Sequence, residues 1–157
     1  MGVSGSGKTT VGRLLAADLG WDFLDADDFH SPANRDKMCS GLPLTDADRG
    51  PWLDTLAEAI SERSRAGRGA VLACSALKQS YRDRLMVEGG VRLVYLKGDP
   101  RTIERRLESR QGHYFAAGLL ASQFEALEEP TDALVVDLTE PPEAIVRRIE
   151  SAWGLGA

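Results

Sequence analysis

A glycine-rich stretch at residues 2–9, which reads Gly-Val-Ser-Gly-Ser-Gly-Lys-Thr, sets the tightest limit on what this chain can form. It fits the pattern G-x-x-x-x-G-K-[ST], in which glycines let successive backbone N–H groups point into one phosphate-binding concavity. In this pattern Lys8 reaches the β- and γ-phosphates of a nucleotide, and the Thr9 hydroxyl ligates Mg²⁺. The alternative is a chance Gly/Ser turn. The candidate nucleotide-binding residues here are Gly2, Ser4, Gly5, Ser6, Gly7, Lys8, Thr9 and Thr10.

The residues after this loop support the nucleotide interpretation, whereas the expected strand before it is missing. After the loop, an apolar helical face from Val11 to Leu19 ends at Gly20, and the positive end of such a helix favours anions. Before the loop a buried strand is expected, but Met1 alone precedes Gly2. We therefore expect the functional protein to begin several residues upstream with an apolar run. An inactive, N-terminally truncated domain is the alternative.

Composition indicates a single globular domain that spans residues 1–157. The net charge of −5 argues against general binding to nucleic acid or to a membrane surface. Cys39 and Cys74 are far apart, as expected of two reduced thiols, and no apolar run is long enough to span a membrane. No signal peptide is visible, so the sequence predicts a cytoplasmic protein.

Apolar runs and helical patterns alternate along the rest of the chain. The continuous apolar run at 70–74 is typical of a strand that is buried on both faces, and residues 91–96 and 133–138 are predicted as the next strands. Helices are predicted between the strands, including one that starts at Pro51 and one over 75–88. This alternation predicts an α/β fold in which helices cover both faces of a parallel sheet.

Two carboxylates follow a short predicted strand at residues 21–24. Acidic residues at the carboxyl end of a strand lie where open α/β sheets bind ligands. Asp25 and Asp27 are two positions apart, so both can face one phosphate–metal centre. One carboxylate can then orient Mg²⁺ while the other takes the proton of an acceptor hydroxyl. A solvated acidic turn is the alternative.

One predicted helix carries a cation on its apolar face. Ile103 and Leu107 define that face, and Arg110 falls near its middle. Arg106 lies at the margin of the same face, one turn earlier. Because an arginine fork matches phosphate oxygens, a phosphate clamp explains this placement. The alternative is an arginine that extends past the edge of the core.

The remaining reactive side chains do not form a recognisable catalytic pattern. His30 and His113 are isolated and lack metal-ligand spacing, so His30 is interpreted as a polar contact. No Cys–His or Ser–His–Asp arrangement is readable. Cys74 and Trp52 are therefore expected to pack in the interior.

Residues along almost the whole chain match one known family. The matching positions are 1–8, 23–27, His30, Asn34, 37–38, 41–44, Asp46, Asp48, Arg49, 51–53, 74–78, 81–83, 95–98, 112–115, 122–124 and 127–128. On these positions the chain resembles the gluconate kinases of the phosphate-loop type, which are related in fold to the shikimate and adenylate kinases.

The resemblance implies a reaction and a set of partners. The reaction is the ATP- and Mg²⁺-dependent phosphorylation of D-gluconate at its 6-hydroxyl, which gives 6-phosphogluconate and ADP. The implied assembly is a homodimer. Segment 28–52 would bind the substrate, and segment 106–128 would form a lid over the phosphates.

The resemblance also implies roles for single residues. Asp27 would be the base, while Asp25 would hold Mg²⁺ together with Thr9. The implied catalytic residues are Lys8, Asp27 and Arg110, the implied lid contacts to the phosphates are Arg106 and Arg110, and the implied sugar-acid contacts are Asp27, His30, Arg49, Lys78, Arg82 and His113.

Two other classes of protein compete with this interpretation. A kinase for another small hydroxylated acid, such as shikimate, would need a different acid-binding set, and the stretch 41–52 favours gluconate. A GTPase switch would need the guanine-recognition pattern N-K-x-D, which the sequence lacks.

Overall fold

A computed structural model describes residues 1–86, 89–108 and 117–156 of the chain. Strands and helices alternate in these residues, as the sequence predicts. The strands are β1 (Asp22–Asp25), β2 (Ala70–Ala73), β3 (Val94–Lys97) and β4 (Leu134–Asp137). The helices are α1 (Lys8–Leu19), α2 (Pro32–Cys39), α3 (Asp46–Arg65), α4 (Gln79–Leu85), α5 (Pro100–Glu108), α6 (Ala117–Ala126) and α7 (Pro142–Trp153), and a short 3-10 helix (Ala26–Phe29) follows β1.

The strands form two parallel pairs. β1 pairs with β2, so that Phe23 lies opposite Val71, and β3 pairs with β4, so that Leu96 lies opposite Val136. Within the described residues β2 and β3 do not pair with each other. The predicted parallel pairing is confirmed, and each pair leaves one strand edge open towards the other.

Met1 and Gly2 bridge the space between the two strand pairs. The Met1 amino group donates to the Val94 carbonyl, and the Leu96 amide donates to the Met1 carbonyl at 3.0 Å. Gly2 donates its amide to the Ser75 carbonyl at 3.3 Å, just past the end of β2. The start of the phosphate loop is therefore attached to both strand pairs through Met1 and Gly2.

A groove of about 440 Å³ lies between the two open edges. Its lining is mostly apolar and includes Leu72, Val94 and Trp153 together with Met1. Burial, together with the charge of nearby Lys8, lowers the pKa of the Met1 α-amino group from 8.0 to about 5. The amino group is therefore largely uncharged at neutral pH.

The helix ends follow local sequence signals, with one correction. α1 ends at Gly20, whose φ of 64° is the left-handed conformation that glycine adopts without strain. α3 begins at Asp46 because Thr45 and Asp48 form a reciprocal capping box. The sequence prediction that this helix starts at Pro51 is wrong, since Pro51 lies inside α3. A capping box satisfies two free N–H groups, and this outweighs the preference of proline for the first turn.

The predicted helix over 75–88 is also shorter in the structure. α4 covers only Gln79–Leu85, and the preceding residues form a loop in which Ala76 has a φ of 44°. This loop lies at the carboxyl end of β2. The predicted strand over 91–96 begins only at Val94, and the last strand covers Leu134–Asp137.

Two apolar clusters cover the two faces of the strands. One cluster joins α1, α5 and α7 to β3 and β4, with Leu15, Ile103 and Ile149 at its centre. The other joins α3 and α4 to the loop after β2, with Leu56 and Tyr81 among its buried members. Helices therefore pack on both faces, which confirms the predicted α/β architecture.

Among the described helices, none is long and apolar enough to cross a membrane.

Candidate active site

The phosphate loop curls because its glycines adopt conformations that other residues avoid. Gly5 and Gly7 have φ of 80° and 94°, in the left-handed region. A Cβ at Gly5 would lie 2.8 Å from the Leu107 side chain, so α5 packs directly against the loop. A Cβ at Gly7 would meet nothing within 4 Å, so the mouth of the loop is open.

Lys8 lies over this loop at the start of α1. Its Nζ donates to the Val3 carbonyl at 2.9 Å, which folds the side chain across the loop. The first turn of α1 has no acidic residue of its own, and the positive end of the helix dipole favours an anion. Ser6 is buried, and its Oγ has no hydrogen-bond partner among the described residues. Donors and positive charge are thus directed towards an anion.

Oxygen ligands for a divalent cation lie next to the loop. The Thr9 hydroxyl donates to Asp25 Oδ2 at 3.0 Å, which joins the start of α1 to the end of β1. Mg²⁺ takes one or two carboxylates, with phosphates and waters completing its coordination. The described residues hold no cluster of three His, Cys, Asp or Glu side chains that could bind a metal alone. Thr9 and Asp25 therefore fit a magnesium ion that is shared with a nucleotide.

Asp27 lies in the first turn of the short 3-10 helix that follows β1. Its amide donates to Asp25 Oδ1 at 3.2 Å, so the two acidic residues are held together. The residue is exposed at the surface of the cleft, but the surrounding protein removes enough water to raise the pKa of its carboxyl above 3.8. The neighbouring charge of Asp25 raises it further. A carboxylate with a raised pKa is suited to accept a proton.

His30 stacks on Trp52 behind Asp27. The two rings are 4.4 Å apart between centroids and 13° from parallel. Trp52 donates its indole N–H to the Ala26 carbonyl at 2.8 Å, which fixes the stack against the 3-10 helix. Burial lowers the pKa of His30, so its ring is neutral at pH 7, and its Nδ1 has no hydrogen-bond partner among the described residues. Trp52 is buried, as expected of a packing residue.

Cations gather around Tyr81 on the other side of the cleft. Lys78 Nζ contacts both oxygens of Asp46, at 2.9 and 2.8 Å, and the Tyr81 hydroxyl donates to the same carboxylate. The Arg49 guanidinium lies 5.9 Å from the centre of the Tyr81 ring. Arg49 and Lys78, predicted from separate parts of the chain, are therefore brought together.

Arg82, an implied contact to the sugar acid, lies against the loop between β2 and α4. Its side chain is buried, and its guanidinium donates to the Ala76 and Leu77 carbonyls, each at 3.0 Å, and to Gln79 Oε1. These bonds hold the loop between β2 and α4. The geometry favours a structural role for Arg82 over contact with a sugar acid, because most of its donors already have partners.

The segments after β3 touch the nucleotide side. Arg106 donates to the Leu138 carbonyl at 2.6 Å, which ties α5 to the chain after β4. Gln123, on α6, makes two hydrogen bonds to Ser4 in the phosphate loop. Arg110 and His113 lie outside the described residues, so their predicted roles stay predictions.

Comparison with known proteins decides the family. A family model described as "AAA domain" matches residues 1–141. The thermoresistant gluconokinase of Escherichia coli is 48% identical over 152 residues, covering 93% of this chain and 86% of that protein. This chain belongs to the gluconokinase family.

Solved structures agree with that assignment. A gluconokinase from Sinorhizobium meliloti is 43% identical, with a TM-score of 0.82, over 94% of this chain and 85% of that one. A sugar kinase from Janibacter sp. HTCC2649 is 44% identical, with a TM-score of 0.91, over 99% and 92% of the two chains. The family resemblance and the P-loop kinase fold expected from the sequence are confirmed.

In this member of the gluconokinase family, the sequence interpretation missed two residues of the site. Asp46 neutralises Lys78, and Gln123 holds Ser4. No local pattern marks either residue as functional, since each acts on a partner more than 30 positions away.

Proposed function

We propose that this chain transfers the γ-phosphoryl group of ATP to the 6-hydroxyl of D-gluconate. The observation that carries the proposal is the contact of Thr9 with Asp25 beside Asp27, at the mouth of the phosphate loop. This contact supports a metal site and a basic carboxylate next to the proposed phosphate site. The E. coli and S. meliloti relatives carry the name gluconokinase.

The nucleotide side binds and orients the phosphates. Backbone N–H groups of the loop, the α1 dipole and Lys8 stabilise the charge that develops on the transferred group. A bound Mg²⁺ would be held by Thr9 and Asp25, and it would neutralise charge on the β- and γ-phosphates. Thr10 is exposed at the start of α1, and its contact with the nucleotide remains a proposal.

Asp27 acts on the acceptor hydroxyl. The bond from O6 of gluconate to phosphorus forms as the bond to the β-phosphate oxygen breaks, and Asp27 accepts the hydroxyl proton. The raised pKa of Asp27 suits this task, because a carboxyl with a higher pKa binds the proton more readily. Neutral His30 offers a polar ring atom to a sugar hydroxyl.

The carboxylate of gluconate would bind at the cations around Tyr81. Arg49 can make a bidentate contact to a carboxylate, whereas Lys78 supplies a point charge. Binding at Lys78 exchanges the Asp46 carboxylate for that of the substrate. Segments 28–52 and 106–128 are proposed as the acid-binding segment and the lid of one domain over 1–157. We also propose a homodimer, which rests on the family resemblance, and a cytoplasmic location, which rests on the sequence.

A coupled assay of ADP release tests this function. The purified protein should release ADP rapidly with gluconate and Mg²⁺, and only slowly with shikimate or without an acid. Lys8→Ala serves as the blank. Equal turnover on shikimate would favour the rival substrate class. If the folded protein shows no acid-dependent turnover, the inactive-domain alternative is favoured.

A further inference from the structure

One segment of the chain touches both halves of the proposed site. It consists of Gln123 on α6 and Glu128, which lies two residues after the end of that helix. Gln123 contacts the phosphate loop, and Glu128 contacts the loop that carries Lys78.

Gln123 holds the phosphate loop at two points. The Ser4 amide donates to Gln123 Oε1 at 2.7 Å, and Gln123 Nε2 donates to Ser4 Oγ at 2.9 Å. Both ends of one side-chain amide are therefore used on a single residue of the loop. A two-point contact fixes orientation as well as distance, so the Ser4 backbone is set before any phosphate arrives.

Glu128 forms hydrogen bonds with the backbone of the two residues that flank Lys78. The Glu128 amide donates to the Leu77 carbonyl at 2.9 Å, and the Gln79 amide donates to Glu128 Oε2 at 2.6 Å. Lys78 is the N-cap residue of α4, and its own side chain makes no capping bond. Glu128 thus supplies the carboxylate that the first turn of this helix prefers.

We propose that Gln123 and Glu128 are positioning residues, Gln123 for the phosphate loop and its nucleotide, and Glu128 for Lys78 and the sugar acid. The assignment to the acid rests on the proposed function, whereas the assignment to the nucleotide does not. Gln123 and Glu128 touch neither substrate in this scheme. They hold the residues that do.

The first experiment measures ADP affinity by calorimetry, without any acid. Gln123→Leu removes both bonds to Ser4 and should weaken ADP binding about tenfold, as expected for the loss of one or two hydrogen bonds. Ser4→Ala removes only the hydroxyl partner and should have a smaller effect. In the double variant the two effects should not add, because both remove the same contact. The control is Glu125→Ala, an exposed position on the same helix.

The second experiment concerns Glu128. Glu128→Ala should raise the KM for gluconate several-fold while the KM for ATP and the ADP affinity stay at the wild-type value. Glu128→Gln retains an oxygen that can accept from Gln79 and should restore most of the loss. Hydrogen exchange at the Gln79 amide should be faster in Glu128→Ala, and this measurement needs no substrate.

The results separate this proposal from the proposed function. If Gln123→Leu binds ADP as tightly as Glu125→Ala, or if Glu128→Ala leaves Gln79 exchange unchanged, the positioning roles are wrong. A general loss of both affinities in Glu128→Ala, with a lower melting temperature, also contradicts them. Wild-type protein that binds ADP but does not phosphorylate gluconate contradicts the proposed function alone, because the ADP and exchange comparisons still decide the positioning roles.

Discussion

The two halves of the site are built in different ways. The nucleotide half is one continuous stretch of backbone, residues 2–9, whose shape is set by glycines with positive φ. The acid half is assembled from side chains on separate elements, including His30 after the 3-10 helix, Arg49 in α3 and Lys78 before α4. The nucleotide half is therefore shaped mainly by its own backbone, while the acid half depends on the packing of three elements.

The two halves also differ in charge before substrate arrives. In the nucleotide half, Lys8 donates to the Val3 carbonyl, an uncharged group. In the acid half, Lys78 is already paired with Asp46. A sugar acid therefore has to displace the Asp46 carboxylate from Lys78. Acid affinity should depend on this competition, which has no counterpart in the contact between Lys8 and Val3.

Loss of Lys8 should give the largest effect on activity. Lys8→Ala removes charge stabilisation from the transferred phosphoryl group, so kcat should fall by several orders of magnitude. Steady-state ADP release measures this, with exposed Arg65→Ala at the end of α3 as the control. Near-normal turnover in Lys8→Ala would show that residues 2–9 are not a phosphate-binding loop.

Asp27→Asn should give the next largest effect. The substitution keeps the shape and removes the basic carboxylate, and a positioned general base contributes roughly 10²–10⁴-fold. We expect kcat to fall by about that factor while ADP affinity changes little. If kcat holds and nucleotide binding weakens instead, Asp27 acts on the metal side, and the roles of Asp25 and Asp27 are exchanged.

The same contrast explains what the sequence could and could not predict. The phosphate loop and the pair Asp25 and Asp27 were predictable because short-range backbone geometry places them. The burial of Arg82 was not, since its partners depend on how the loop before α4 folds. The start of α3 was misplaced because a capping box at Thr45 outweighs the proline signal at Pro51.

Activity should depend on pH through Asp27. The carboxyl has to be ionised to accept a proton, so kcat/KM should fall about tenfold per pH unit below its pKa. Because that pKa is raised, the acid limb should lie above the usual 3.8. The residual activity of Asp27→Asn should not show this fall of kcat/KM at low pH. An acid limb at the ordinary aspartate value in the wild type would contradict the desolvation of Asp27.

Lys78→Ala should affect the acid half alone. Loss of a charge-assisted hydrogen bond to the substrate carboxylate should raise the KM for gluconate about tenfold or more, with ADP affinity unchanged. The matched control is Lys97→Ala, another lysine paired with a carboxylate, but on β3. If Lys78→Ala changes the KM for gluconate and the ADP affinity equally, the acid half and the nucleotide half are not independent.

The smallest expected effect is on stability, and it runs opposite to the effect on activity. A raised pKa means that folded protein binds the Asp27 proton more tightly than unfolded protein does, so the ionised form lowers stability above that pKa. Asp27→Asn should therefore raise the melting temperature slightly at neutral pH, since the side chain is exposed and the penalty is small. The gain should disappear as the pH falls below 3.8, where the carboxyl is protonated in both states. Thermal unfolding of both proteins across this pH range measures the difference, and a lower melting temperature for Asp27→Asn at pH 7 would show that Asp27 stabilises the fold.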